Sequence, residues 1–171
     1  MVHIYCGDGK GKTTAAMGLA LRCAGSGRRA LVLQFLKDGS SSELTPLSRT
    51  EGAEVVPQTR AFGFTWTLSP EEREEAGIYY GGLLEAAWEK AAAGGYGLLV
   101  LDEALGACAA GLIDEGRLLA LLDSAPEGLE VVLTGRGPSQ ALLDRADYVT
   151  EMRKVKHPFD RGVAARRGVE Y

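Results

Sequence analysis

Residues 2–16 read Val-His-Ile-Tyr-Cys-Gly-Asp-Gly-Lys-Gly-Lys-Thr-Thr-Ala-Ala, and the order of residue types in this stretch decides the fold. Val2 to Cys6 is an apolar run of strand length, Gly7, Gly9 and Gly11 remove side chains from alternate positions, and Thr13 to Ala24 reads as a helix. A strand that passes through a glycine loop into a helix gathers backbone N–H groups and the positive end of the helix dipole around one point. Lys12 adds a full charge there, and the Thr13 hydroxyl offers an oxygen ligand for Mg²⁺. Gly7, Asp8, Gly9, Lys10, Gly11, Lys12, Thr13 and Thr14 are therefore expected to cradle a chain of phosphates. The competing reading, a glycine turn with surface lysines, leaves the matched strand and helix unaccounted for.

The spacing departs from the common phosphate loop in one respect. The residue five before Gly11 is Cys6, and the first glycine is Gly7, so the loop is one residue short. A shortened cradle supports binding of ATP or GTP more firmly than it supports ordinary phosphoryl transfer.

Outward from this loop, apolar runs of strand length alternate with longer segments of helical period, the pattern of a parallel sheet covered on both faces. Strands are expected at 30–36, 53–57, 98–101, 131–134 and 148–151, with a loop or short helix across 37–50. Ser69, Pro70 and Glu72 form a capping box with proline at the first helical position, which opens a helix over 70–93. A further helix is expected over 115–122. With no repeat and no linker, residues 1–171 read as a single α/β domain, a doubly wound, mainly parallel sheet of the P-loop NTPase (RecA-like) type. The run Leu98-Leu99-Val100-Leu101-Asp102-Glu103 delivers two carboxylates at the C-terminal end of a buried strand, where parallel sheets bind ligands. With the phosphate loop expected on a neighbouring strand, Asp102 and Glu103 are candidates for Mg²⁺ ligation or water positioning. Taken alone, they read equally well as solvated acids.

Composition narrows the function classes. The 171 residues are 46% hydrophobic and 25% charged, with a net charge of -4, which suits a globular chain. The acidic balance argues against nucleic acid as the main partner, because cationic neutralisation of phosphates supplies most of that affinity. No run of about 18 apolar residues supports membrane spanning, and no secretory leader is evident. Cys6, Cys23 and Cys108 lack CxxC spacing and are expected as buried, unreactive thiols of a cytoplasmic protein.

The short loop Gly7–Thr14, Gly63-Phe64-Thr65-Trp66, the Leu-Asp-Glu strand, Thr134-Gly135-Arg136-Gly137 and the tail Val155-Lys156-His157-Pro158-Phe159-Asp160-Arg161-Gly162-Val163 span almost the whole chain. Together they resemble the ATP:corrinoid adenosyltransferases of cobalamin synthesis and salvage. The resemblance implies transfer of the 5′-deoxyadenosyl group of ATP to a Co(I) corrinoid with release of triphosphate, the triphosphate lying reversed in its loop. It implies that Gly7 to Thr14 and Arg22 contact the triphosphate, that Thr13 and Glu103 serve Mg²⁺ and that Asp102 supports it. Lys12, Phe64, Trp66 and Glu103 become the residues expected to carry the chemistry. The aromatic pair would press beneath the corrin ring and displace its lower axial ligand, easing reduction to Co(I). A homodimer and a flavoprotein reductant are the implied partners.

Several features read differently without that likeness. Phe64 and Trp66 would be core aromatics, and Arg22 a solvated helix charge. His3 and His157 occupy no Asp-x-His-x-x-Gly pattern and are expected in structural or surface roles, although His157 lies in a family segment. Arg153, Lys154, Lys156, Arg161, Arg166 and Arg167 read as a solvated face or dimer edge. Many relatives carry an N-terminal segment that closes over the site, so sequestration is expected from elsewhere, such as a partner subunit. Ala104 to Gly111 is small and glycine-containing where relatives carry larger residues. Two rivals complete the field: a P-loop ATPase or kinase, and a nucleotide-gated binding module without chemistry.

Overall fold

The structure, a computed structural model, describes residues 1–170. Six strands, β1 (Val2–Cys6), β2 (Arg29–Gln34), β3 (Ala53–Val55), β4 (Tyr96–Asp102), β5 (Glu130–Thr134) and β6 (Tyr148–Glu151), form one sheet in the order β3-β2-β4-β5-β1-β6. Every pairing is parallel. All seven residues of β4 are buried, as a central strand covered on both faces requires.

Side-chain alternation along the strands divides the core into two layers. Ala30, Val32, Leu98, Val100 and Val132 face Ala16, Met17 and Ala20 of α1 (Lys12–Gly25). Leu31, Leu33, Leu99, Leu101 and Val131 face the other way, toward Tyr80, Leu84 and Trp88 of α3 (Pro70–Ala93) and Leu118 of α5 (Glu115–Asp123). Helices therefore cover both faces, as the sequence pattern predicts. The α3 boundaries agree with the expectation because Ser69 accepts from the Glu72 amide at 3.2 Å while the Glu72 carboxylate accepts from the Ser69 amide at 2.8 Å.

Four expectations need correction. The carboxylate-bearing β4 does not neighbour β1, because β5 is inserted between them and pairs with both. Val131, Val132 and Leu133 present apolar side chains to both layers, which suits an interior position. The second strand ends at Gln34 and not at Leu36, whose φ of 57° turns the chain out of the sheet. Third, the 53–57 strand is shorter, covering only Ala53–Val55. Lastly, α4 (Ala104–Ala109) and α6 (Gln140–Arg145) were not expected from the sequence; each spans fewer than two turns and leaves too little periodicity to read. Within the 37–50 stretch, α2 (Leu44–Ser48) is the short helix.

Candidate functional site

All the parallel strands point their C-terminal ends toward one edge of the sheet, and the candidate residues gather there. The glycine loop joins β1 to α1. Gly11 holds φ at 112° as the residue preceding α1, a conformation that disfavours any side chain. Gly9 is needed for a second reason: a Cβ there would lie 2.5 Å from the Met152 carbonyl oxygen, so the loop packs directly on the backbone that follows β6. The Gly9 amide donates to that same oxygen at 2.6 Å, and Oδ1 of Asp8 accepts from the Lys154 amide at 3.0 Å. Two loop residues thus spend their groups on holding the 152–154 segment.

Lys12 is 9% exposed and folds back over the loop, its Nζ donating to the Gly9 carbonyl at 2.9 Å. Burial, followed by the Arg136 guanidinium, holds its ammonium below the usual lysine range, while Glu103 and Asp8 oppose the shift. An anion arriving in the loop would restore the partner this buried charge lacks.

At the end of β4 the two acids differ sharply. Asp102 is fully buried, and its carboxylate accepts from Lys37 at 2.8 Å, Gln34 at 3.1 Å and the Thr134 hydroxyl at 2.6 Å. Its lone pairs are largely committed, which makes it an organiser of neighbouring groups. Glu103 immediately follows the strand with φ of 60°, and its amide donates to Thr134 Oγ1 at 2.9 Å. Its carboxyl accepts no protein donor among the described residues and lines the cavity. Burial first, and the adjacent Asp102 second, raise its pKa above the ordinary glutamate value, against the pull of Lys37, Lys12 and Arg136. Left-handed backbone at two non-glycine residues, Leu36 after β2 and Glu103 after β4, marks this edge as the place where strain is stored.

The cavity has a volume of about 1200 Å³, and its lining includes the polar side chains Lys10, Thr13, Thr14, Lys37 and Glu103 together with the aromatics Phe62, Phe64 and Trp66. Phe64 and Trp66 are 67% and 76% exposed, which removes the core-packing alternative. Their rings stack 4.6 Å apart at 11°. The segment is a turn, with the Phe64 carbonyl accepting from the Thr67 amide at 2.8 Å. Arg73 of α3 fixes the turn, donating to the Thr65 carbonyl at 2.8 Å and the Ala110 carbonyl at 2.7 Å.

Other candidates fall outside the cluster. Arg22 is exposed near the end of α1, roughly 15 Å along the axis from Lys12 by helical rise, and does not line the cavity. His3 bonds Glu130 at 2.8 Å and stacks on Tyr148, and His157 Nδ1 accepts from the Phe159 amide at 3.2 Å; both roles are structural. The three cysteines are free; Cys6 and Cys23 are buried as expected, whereas Cys108 is only partly buried, its pKa still pushed up to about 12, chiefly by desolvation. Lys154 and Arg166 have local acidic partners in Asp160 and Glu170. No helix among the described residues is long and apolar enough to cross a membrane.

Lys37, Thr134 and Arg136 were not singled out as site residues, yet they share the field of Asp102, Glu103 and Lys12. Thr134-Gly135-Arg136 sits at the end of a buried strand, which is the signal that could have found the last two.

The whole chain, residues 1–171, matches the family model described as ATP:corrinoid adenosyltransferase BtuR/CobO/CobP. A corrinoid adenosyltransferase of Pseudomonas aeruginosa is 37% identical over 98% of this chain and 82% of its own length. The corrinoid adenosyltransferase CobA of Salmonella typhimurium is 35% identical over 100% of this chain and 85% of its own. The corrinoid adenosyltransferase of Escherichia coli is 34% identical over the same shares.

Proposed function

The chain belongs to the ATP:corrinoid adenosyltransferase family, and on that premise we propose how its site moves the 5′-deoxyadenosyl group of ATP to the Co(I) centre of a corrinoid. One observation carries the reading: a single cavity joins phosphate-loop residues Lys10, Thr13 and Thr14 to the exposed, stacked pair Phe64 and Trp66. A generic ATPase needs the first set and has no use for the second.

In the reaction the Co(I) electron pair forms the Co–C bond at C5′ of the ribose. The C5′–O bond breaks, and its electron pair leaves on the triphosphate. Negative charge therefore builds on the leaving group, and fixed donors aimed at it lower the barrier. We assign that task to Lys12 and to the amides of the Gly7–Thr14 loop other than that of Gly9, which is held by the Met152 carbonyl, with Arg136 adding charge from the β5 end. With the triphosphate reversed, its α-phosphate would take the place that other phosphate loops give the γ-phosphate, and C5′ would face the cavity that the aromatic pair also lines. Phe64 and Trp66 lie beneath the ring and exclude its lower axial ligand, which eases formation of Co(I).

The residues fit Mg²⁺. No group of three or more His, Cys, Asp or Glu side chains converges among the described residues, so the protein offers no closed cage. A hydroxyl at Thr13 and an unengaged carboxylate at Glu103 match a cation that keeps waters and takes phosphate oxygens for the rest of its shell. Asp102, with three protein donors on its carboxylate, supports the ion by fixing Lys37, Gln34 and Thr134. When bound, the ion would neutralise charge on the triphosphate. A single-domain homodimer, a flavoprotein reductant and a cytoplasmic setting complete the proposal on family likeness, the last supported also by the three free thiols.

A single-turnover assay with a reduced corrinoid and MgATP tests it. Growth of the Co–C absorbance together with inorganic triphosphate is the expected result. ADP and phosphate would assign the chain to the ATPases or kinases, and tight ATP binding with no product would make it a binding module.

A further inference from the structure

Among the described residues two buried side-chain polar atoms lack a partner, Oε1 of Gln34 and Oε1 of Gln58, and both residues line one small cavity. It holds about 350 Å³ where α2 meets the C-terminal ends of β2 and β3, and Leu44, Val55 and Val56 supply its apolar lining. It adjoins the large cavity at Asp38, which lines both. Chemistry fixes the orientation of each amide. Gln34 is 2% exposed, and its Nε2 donates to Asp102 at 3.1 Å and to Glu43 at 3.3 Å. The reverse orientation would set its oxygen against two carboxylates. Nε2 of Gln58 donates to the Gln34 carbonyl, which fixes the second amide in the same way.

Two acceptors are thereby left without donors, a standing cost that a bound group with N–H bonds removes. One water takes up about 30 Å³, too little to fill the space. Asp38, the one ionisable group in the lining, is already engaged by the Ser40 amide and hydroxyl, so no free charge there calls for a cation. A primary amide matches the lining: its NH2 supplies two donors, and its carbonyl can accept from the exposed Thr45 hydroxyl. A carboxylate does not match, because it brings only acceptors to two acceptors. Corrin rings carry acetamide and propionamide arms on their periphery, or the corresponding acids. We propose that this side cavity is a subsite for one peripheral amide of the corrinoid, read by Gln34 and Gln58, and that it selects the amide over the acid at that arm. The inference rests on the reading of the large cavity as the corrinoid site.

Equilibrium dialysis of the intact chain with MgATP tests it, using cobinamide and the set of its single-arm acids, each with one primary amide hydrolysed. One acid of the set should bind roughly tenfold or more weakly than the parent, because a site built to hydrogen-bond an N–H rejects the analogue that lacks it. Gln58→Leu should weaken the parent about two- to tenfold, the worth of one neutral hydrogen bond, and leave that acid nearly unchanged, so the gap narrows. Thr45→Val, at an exposed position outside the Asp102 network, should weaken the parent by a similar factor with MgATP affinity unchanged. Equal binding of the parent and every acid, or wild-type corrinoid affinities in both variants, overturns the subsite and leaves the cavity to water. The two readings fail separately. An amide preference without formation of a Co–C bond or triphosphate keeps the subsite and rejects adenosyl transfer, and adenosyl transfer without the preference rejects the subsite alone. Absence of corrinoid binding rejects both.

Discussion

The Thr134 hydroxyl donates to Oδ1 of Asp102 at 2.6 Å and accepts from the Glu103 amide at 2.9 Å, so one side chain on β5 ties together consecutive acids at the end of β4. Because β5 lies between β1 and β4, this bridge is also the link between the phosphate-loop strand and the carboxylate strand. Replacing Thr134 by Val keeps the shape and removes both bonds. The Glu103 amide then lacks an acceptor, and the expected loss is about 1–3 kcal/mol, read as a fall of about 2–4 °C in Tm for each kcal/mol. Turnover should fall with ATP affinity nearly unchanged, because the loop is untouched while Glu103 loses its support. A wild-type kcat in this variant would remove Thr134 from the organisation of the site.

Glu103 stands at a cost to stability. Its folded-state pKa is raised above the ordinary 4.5, so the stability it contributes is present below that value and is lost as pH rises through the raised pKa. Glu103→Gln should therefore raise Tm at pH 7 to 8, with the difference shrinking as pH falls toward the ordinary carboxylate range. The same variant should turn over slowly and require more Mg²⁺. A Tm difference that did not change with pH would show that burial does not penalise the charge, and a wild-type metal titration would take Glu103 out of the metal site.

Gly9→Ala tests the packing of the loop on the chain after β6. The added Cβ would sit 2.5 Å from the Met152 carbonyl oxygen and 2.9 Å from the Arg153 carbonyl carbon, both backbone atoms that no rotamer change can move aside. The variant should lose about 1–3 kcal/mol through overpacking and bind ATP more weakly as the loop lifts from Met152. Wild-type melting and affinity together would show that the loop does not need this contact.

The parts of the fold that rest on local chemistry were legible in the sequence. The Ser69 capping box set the start of α3, and the apolar run before Asp102 set β4, because caps and buried strands are written in adjacent residues. The order of strands was not, since nothing in Leu98–Glu103 records that Val131–Leu133 would pair on one side of it and on the other side with β1. The candidate site divides in the same way. Gly7–Thr14 could be read from its own spacing, whereas Lys37 reaches Asp102 from 65 residues away, and Thr134 from 32. Such partners are fixed by the parallel register and by the turn at Leu36, and they become visible only once the sheet is assembled. Arg22 shows the converse: its helix is evident, but which face of it meets the cavity is not, and Gly18 and Leu21 line that space while Arg22 does not.

The aromatic pair separates corrinoid chemistry from every generic ATPase reading. Phe64 and Trp66 are exposed, stacked on each other, and carried on a turn whose Thr65 carbonyl is held by Arg73 at 2.8 Å. Truncating both to Ala removes the stack and leaves that anchor in place, so the stability loss should be near the 0.5–1.5 kcal/mol worth of one aromatic pair. Buried aromatics would instead cost roughly 3–5 kcal/mol each. ATP affinity should be nearly unchanged, because neither ring makes a hydrogen bond or ring contact with the loop or Lys12, the two stacking only on each other. The activity defect should depend on the lower ligand: cobalamin, which has a nucleotide base to expel, should lose more than cobinamide, whose lower ligand is water. Chemically prereduced Co(I) substrate should recover much of the rate, since the step the pair assists has then already occurred. Melts of the double variant, Co(II) spectra with each corrinoid and rates from both oxidation states decide the matter. Equal loss on both corrinoids, with no recovery from prereduced substrate, would remove the pair from ligand displacement.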